Sequence, residues 1–305
     1  MTADTLLLAA PGLIWGASFF FIAEGLRIMG PNGVTFARIL IGFATLSLFP
    51  RARKPVARSD WPAIAGLGVL WMAFPLTMFP FAEQRVSSAV TGMLNASNPL
   101  FTSIVAAAIA RCAPPRRVLA GLAVGMIGTV VTALPSGSEG RSSVAGIGLI
   151  LAAMVSYGFA LNIARPLQLR NGALPLIWRA QMVALVLTAP LGLPELLASR
   201  WMPGPLACLL ALGALGTGAA FVLMSMAAGR LGATRASATT FLIPVMALVL
   251  GVAVRHERVA LLSILGSAVC VAGAWIMRRA QGPESGTAAT AAALPAPCRP
   301  SASTP

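Results

Sequence analysis

The chain has 305 residues, of which 57% are hydrophobic and 10% charged, with a formal net charge of +14. A soluble domain carries about 25% charged residues, so this composition excludes an ordinary water-soluble globule and points to a chain whose solvent is lipid. The basic excess would suggest nucleic acid in a soluble protein; here the placement of the charges assigns it to membrane topology and excludes a nucleic-acid partner.

Apolar segments recur at roughly 5–26, 34–50, 61–82, 86–109, 115–134, 144–164, 173–193, 204–227, 236–254 and 259–277. Their lengths suit helices that cross about 30 Å of hydrocarbon at about 1.5 Å per residue. Asp4 stands where a signal peptide would have a basic region, so the first segment is expected to remain as a span. With the N-terminus in the cytoplasm, Arg27, Arg85, Arg141, Arg200, Arg255 and Arg258 fall outside and Arg38 and Arg179 fall within spans. The other fourteen of the 22 basic residues lie on the cytoplasmic side, which places both termini there. Trp61, Trp201 and Trp275 sit at span ends and read as interfacial anchors. Cys112, Cys208, Cys270 and Cys298 have neither disulfide-framework nor zinc spacing.

Residues 135–143 break the apolar pattern with five segments on either side. The Ala-, Pro- and Ser-rich stretch 280–305 is expected to be a disordered cytoplasmic tail. The halves 1–134 and 144–279 read as a repeat. The spacing from Arg85 to Pro99 equals that from Arg230 to Pro244. In that register Gly121 meets Gly266 and Gly128 meets Gly273, and with a small shift Trp15-Gly16 meets Tyr157-Gly158. Five spans is an odd number, so the second copy inserts upside down. The expected fold is an all-α integral membrane protein of ten transmembrane helices in two inverted five-helix repeats, with 135–143 as the extracytoplasmic linker.

Several residues carry a resemblance. Ile14-Trp15-Gly16-Ala17-Ser18-Phe19, Arg38, Asn98-Pro99-Leu100, Pro244, and Glu257 followed by Gly266 and Gly273 occur in the order found in bacterial ten-helix permeases with two EamA-like repeats. The chain resembles that branch of the drug/metabolite transporter superfamily over residues 5–279. The resemblance implies a bacterial inner-membrane transporter of small organic metabolites or drugs, with export as its direction. One departure is plain: the family often has a Glu at the end of the fourth helix of each repeat. Glu257 fills that place in the second copy and Cys112 in the first.

Candidate site residues cluster on matched helices. Pro99 and Pro244 fall in the middle of the fourth and ninth segments, where proline frees the carbonyls of Asn95 and Thr240. Kinked helices from opposite repeats, with polar Asn95, Asn98 and Thr240 beside the kinks, form a substrate site or serve packing alone. Arg38 and Arg179 lie within spans, where a charge binds an anionic group or snorkels to the interface. Trp15, Tyr157 and Asn162 can enclose and orient an organic substrate or pack helices. Glu24 and Glu83, near outer helix ends, are coupling candidates with protons as the coupling ion; interfacial exposure is the plainer reading. Glu257 in its Arg-rich loop reads as a solvated ion pair. Gly121-x-x-x-Gly125 marks a close helix contact within one chain or in a homodimer.

Absences narrow the function. The only lysine is Lys54, so the chain has no phosphate-binding GxxxxGK[ST] loop, and the only histidine is His256, so it has no HExxH zinc motif. No cofactor, metal or catalytic residue is expected. Asp4 and Asp60 both fall outside the spans, which removes a buried aspartyl pair. The expectation is a secondary transporter, not an enzyme, working by alternating access with membrane lipid around it. A membrane enzyme acting on lipid and a non-transporting subunit of a membrane complex are the alternatives.

Overall fold

The computed structural model describes residues 3–111, 113–137, 141–224 and 237–281. The expected tail beyond residue 281, Cys112, and the middle of the expected linker lie outside the described residues. The described residues contain helices and no strand. In chain order they are α1 (Ala3–Gly25), α2 (Pro31–Ser47), α3 (Trp61–Leu67), α4 (Phe74–Glu83), α5 (Ser88–Asn95), α6 (Asn98–Ala110), α7 (Arg116–Gly137), α8 (Arg141–Asn171), α9 (Ala173–Leu197), α10 (Pro203–Ala211), α11 (Leu242–Ala253) and α12 (Leu261–Gln281). A π-helical stretch, Gly68–Ala73, joins α3 to α4, and another, Leu212–Ala219, continues α10. A 3-10 turn, Ser237–Phe241, leads into α11.

Six helical stretches are long and apolar enough to cross a membrane: Arg58–Glu83, Ser88–Ala110, Arg116–Pro135, Ser143–Asn171, Ala173–Leu197 and Pro203–Met224. Ala9–Gly25, Thr239–Ala253 and Leu261–Met277 are shorter apolar helices. Large apolar side chains point outward along these helices, among them Ile127 on α7, Val186 and Leu191 on α9 and Leu265 on α12, each more than half exposed. Lipid, not water, makes such a surface stable.

Proline shapes the elements. Pro31 and Pro203 open α2 and α10, where the missing N–H would have no helical partner anyway. The expected single fourth helix with a mid-helix kink at Pro99 is instead two helices. α5 ends at Asn95, Ala96 and Ser97 form tight turns back to Met93 and Leu94, and Pro99 sits in the first turn of α6. Pro99 has no N–H to return to Asn95 and crowds its carbonyl, so the helix restarts instead of bending. In the second half a 3-10 turn containing Thr240 precedes α11, and Pro244 lies in its first turn. The expected linker is also narrower, since α7 runs to Gly137 and α8 begins at Arg141.

The packing repeats itself with the halves exchanged. α1 packs on α11 as α8 packs on α6, and α1 packs on α10 as α8 packs on α4. α2 lies on the 212–219 π stretch, and α9 lies on the 68–73 π stretch. α2 pairs with α9, α5 with α11, and α7 with α12. The α7–α12 contact is backbone to backbone: a Cβ on Gly128 would collide with the Cys270 backbone, and one on Gly273 with the Gly125 backbone. Close approach through small residues is a strong association device in lipid. The glycine stripe is thus used inside the chain.

Candidate functional site

Arg38 is the centre of the buried polar group. It is 4% exposed on α2, so its guanidinium turns into the protein instead of snorkelling outward. Its Nε donates to Thr217 Oγ1 at 3.3 Å. Thr217 belongs to the second π stretch, and its hydroxyl donates to the Leu212 carbonyl, five residues back, at 3.2 Å. The wider π turn leaves the Thr217 carbonyl to accept from Gln181 Nε2 at 2.8 Å. Such π stretches concentrate at functional sites. Gln181 on α9 is fully buried, and its Oε1 has no partner.

Glu83 and Tyr157 lie within electrostatic reach of Arg38. Both carboxylate oxygens of Glu83 are buried without a hydrogen-bond partner, as is Asn95 Oδ1 at the end of α5. Glu83 is therefore not the exposed interfacial acid of the plainer reading. A buried acceptor without a donor costs about 1–3 kcal/mol.

Aromatic rings flank this group. Trp15 donates through Nε1 to the Gly216 carbonyl at 3.0 Å and meets Phe221 edge-on at 5.5 Å. Trp71 meets Phe221 edge-on from the other side. Tyr157 leans on Phe79 at 6.1 Å, and Phe79 meets Phe19 edge-on. The first π stretch is braced like the second, since Ser156 on α8 donates to the Leu70 carbonyl at 2.7 Å.

Other predicted residues serve different contacts. Asn162 donates to the Thr102 carbonyl of α6 and to the Gly158 carbonyl of its own helix, so it holds α6 to α8, while Asn98 Oδ1 accepts from Thr102 Oγ1 within α6. Arg179 donates to the Ala52 and Pro175 carbonyls and holds the 50–53 turn against α9. Glu24 is ion-paired with Arg27 at 2.7 Å and with Arg255 at 2.6 Å. Pro244 is buried at the start of α11, where the Ile243 and Met246 region faces Gly16 of α1.

Helix ends carry two carboxylates that the sequence pattern did not single out as caps. Glu195 on α9 accepts from Asn32 Nδ2 at 2.8 Å and Gly33 N at 2.7 Å, covering the start of α2. Glu257 accepts from Ser88 N, Ser88 Oγ and Ala89 N, covering the start of α5. Negative charge at a helix N-terminus is favourable. At the opposite end, Asp60 takes Arg170 at 3.0 Å and Asn171 at 2.6 Å. An apolar crevice of about 400 Å³ between α6, α7 and α8 shares no lining residue with the Arg38 group.

Gln181 was legible as a lone amide inside an apolar span. Thr217 was not, because its role depends on a π turn that no local motif announces.

The EamA-like transporter family model matches residues 3–134 and again 144–279. A probable terminal-alkyne amino-acid exporter from Streptantibioticus cattleyicolor is 27% identical over 271 residues, covering 87% of this chain and 90% of that protein. An uncharacterized transporter, YdfC, from Bacillus subtilis is 27% identical over 267 residues, covering 85% of this chain and 86% of that one. A solved crystal structure shares the fold, with a TM-score of 0.62 at 20% identity, covering 92% of this chain and 99% of its own. With two matched copies spanning nearly all of the helical chain, this multi-pass membrane protein belongs to the EamA-like transporter family.

Proposed function

We propose that the protein is a secondary transporter that exports small amino-acid-like metabolites across a bacterial inner membrane by alternating access. Its ten spans form two inverted repeats, residues 1–134 and 144–279. Both termini are cytoplasmic, and the Glu24, Glu195 and Glu257 end is extracytoplasmic.

The observation that carries this reading is the buried mismatch around Arg38. Among the described residues, the buried side-chain atoms without partners are Glu83 Oε1 and Oε2, Asn95 Oδ1 and Gln181 Oε1, all acceptors, and Glu83 and Gln181 are the two linked to Arg38. A ligand that satisfies them brings N–H donors, and an ammonium group brings three. Arg38 offers charge-assisted donors to a carboxylate. One ligand with both groups is a zwitterion, and a relative's name, an amino-acid exporter, points the same way. Trp15, Tyr157 and Phe79 enclose the ligand's side chain. Between the coupling candidates, Glu83 is favoured as the proton carrier, because Glu24 already has two arginine partners.

The test is flux of a panel of amino acids and their des-amino analogues through purified protein in proteoliposomes, with and without a pH gradient. The reading predicts transport of at least one amino acid, rejection of its des-amino analogue, and loss of flux in Arg38→Gln while the protein still accumulates. Equal flux of both analogues would remove the zwitterion from the account.

A further inference from the structure

We infer that Arg255 pins the extracytoplasmic end of the empty carrier shut, and that among the described residues the cytoplasmic end has no equivalent pin. This rests on the alternating-access reading and orientation proposed above, and it deepens them by naming what sets the resting state.

The pin is built by a tight turn after α11. His256 adopts a left-handed backbone, φ 54°, and Glu257 N returns to the Gly251 carbonyl at 2.9 Å. The reversal lays the Glu257 carboxylate on the start of α5. Gly251 leaves the room, since a Cβ there would lie 2.7 Å from both Ala89 Cβ and Glu257 Oε2. Arg255 then reaches in two directions. Its Nε donates to Glu257 Oε1 at 3.1 Å and its Nη1 to Glu24 Oε1 at 2.6 Å. One residue of the second repeat thus ties together the end of α1 and the start of α5, both in the first. Side-chain exposures of 27%, 14% and 12% for Arg255, Glu24 and Glu257 put these contacts well below the surface-pair class.

The other repeat makes the same turn without the charges. Arg111, at the position of His256 in the register that aligns Pro99 with Pro244, has φ 50°. Ala110 and Cys112 stand where Arg255 and Glu257 stand, and Pro166 stands where Glu24 stands in the Trp15–Tyr157 register. The Asp60–Arg170–Asn171 cluster at the cytoplasmic end is not the counterpart. It joins α8 to the start of α3, and in the repeat register it falls on a different contact from the pin. Its mirror contact is Arg200 N to the Ile28 carbonyl, between the end of α1 and the segment before α10. Each end therefore has one contact between these matched elements.

Two inverted repeats with equal contacts would favour both facing states equally. The one-sided pin removes that balance. The empty carrier rests closed to the outside and open to the cytoplasm, which is the loading order of an exporter. Glu83 lies within electrostatic reach of Arg38, Arg255 and Glu257 together.

The experiment is pulsed-dipolar spin-label distance measurement in lipid nanodiscs, without substrate, on full-length protein labelled at Gln84→Cys and Arg258→Cys with its native cysteines replaced. Both positions are exposed and lie on either side of the pin. The parent should show mainly a short distance. Arg255→Gln should raise the long-distance population about tenfold relative to the short one, Glu257→Gln should act in the same direction, and Arg255→Lys should fall between. Gel filtration of each variant separates opening from misfolding, and the milder Glu24→Gln serves if Arg255→Gln does not fold. Unchanged distances in every folded variant would overturn the pin. Flux of the same variants in proteoliposomes keeps the two ideas apart: an inactive parent with shifting distances would sink the transport reading alone, and an active parent with fixed distances would sink the pin alone.

Discussion

Gln181 and Arg38, on different helices, are both held by Thr217, one through its carbonyl and the other through its hydroxyl. The π stretch makes this double contact available, because its Leu212 carbonyl takes the Thr217 hydroxyl proton and leaves the oxygen facing Arg38.

Thr217→Val therefore removes two buried hydrogen bonds while keeping the shape. The loss of stability should be about 1–3 kcal/mol. Substrate affinity should fall by about tenfold, because Arg38 loses the contact that aims it. Thermal unfolding and equilibrium binding on the same purified variant check both. A stability loss with unchanged affinity would make Thr217 a packing residue only.

Glu83→Gln keeps the side chain's size and removes its charge. Substrate affinity should fall, because Glu83 is an acceptor for the ligand's ammonium group, and the response of the remaining flux to a pH gradient should vanish. Flux with and without the gradient measures this directly. A variant that still responds to the gradient would move coupling away from Glu83.

Pro99→Ala and Pro244→Ala should act in the same direction, because each proline stands in the first turn of the matched helix of its repeat. Alanine supplies an N–H to the carbonyls of Asn95 and Thr240 and favours one continuous helix across the break. Turnover should fall more than binding. Parallel flux and binding assays separate the outcomes: lost binding with intact turnover per bound substrate would make the freed carbonyls ligands instead of hinges.

Reporter fusions after Ser136 and after Gly282 should report opposite sides of the membrane, the first outside and the second in the cytoplasm. The expectation rests on the placement of arginines. The same compartment for both would end the five-plus-five arrangement.

Much of this was written in the pattern of residues. Runs of apolar residues located the helices because lipid demands long uninterrupted ones. The Pro99 and Pro244 spacing exposed the repeat, and Arg38 stood out as a charge inside a span. Other features depend on distant contacts. A proline mid-span was compatible with a kink or a break, and only packing around Asn95 to Asn98 chose the break. Glu257 looked like a solvated pair because its partners Ser88 and Ala89 are far away in sequence. Asn162 and Arg179 read as ligands or as packing and snorkelling residues, and the carbonyls that engage them belong to other helices or turns that the local pattern does not reveal.

The central claim is that a substrate crosses by alternating access through the Arg38 site, and solute counterflow tests it most directly. Proteoliposomes are preloaded with an unlabelled amino acid accepted in the flux panel, and entry of the labelled form is timed. An alternating-access carrier returns faster when loaded, so preloading should speed entry several-fold in the parent, and Arg38→Gln should show no entry in either condition. Equal entry rates with and without preload, or full counterflow in Arg38→Gln, would contradict the account.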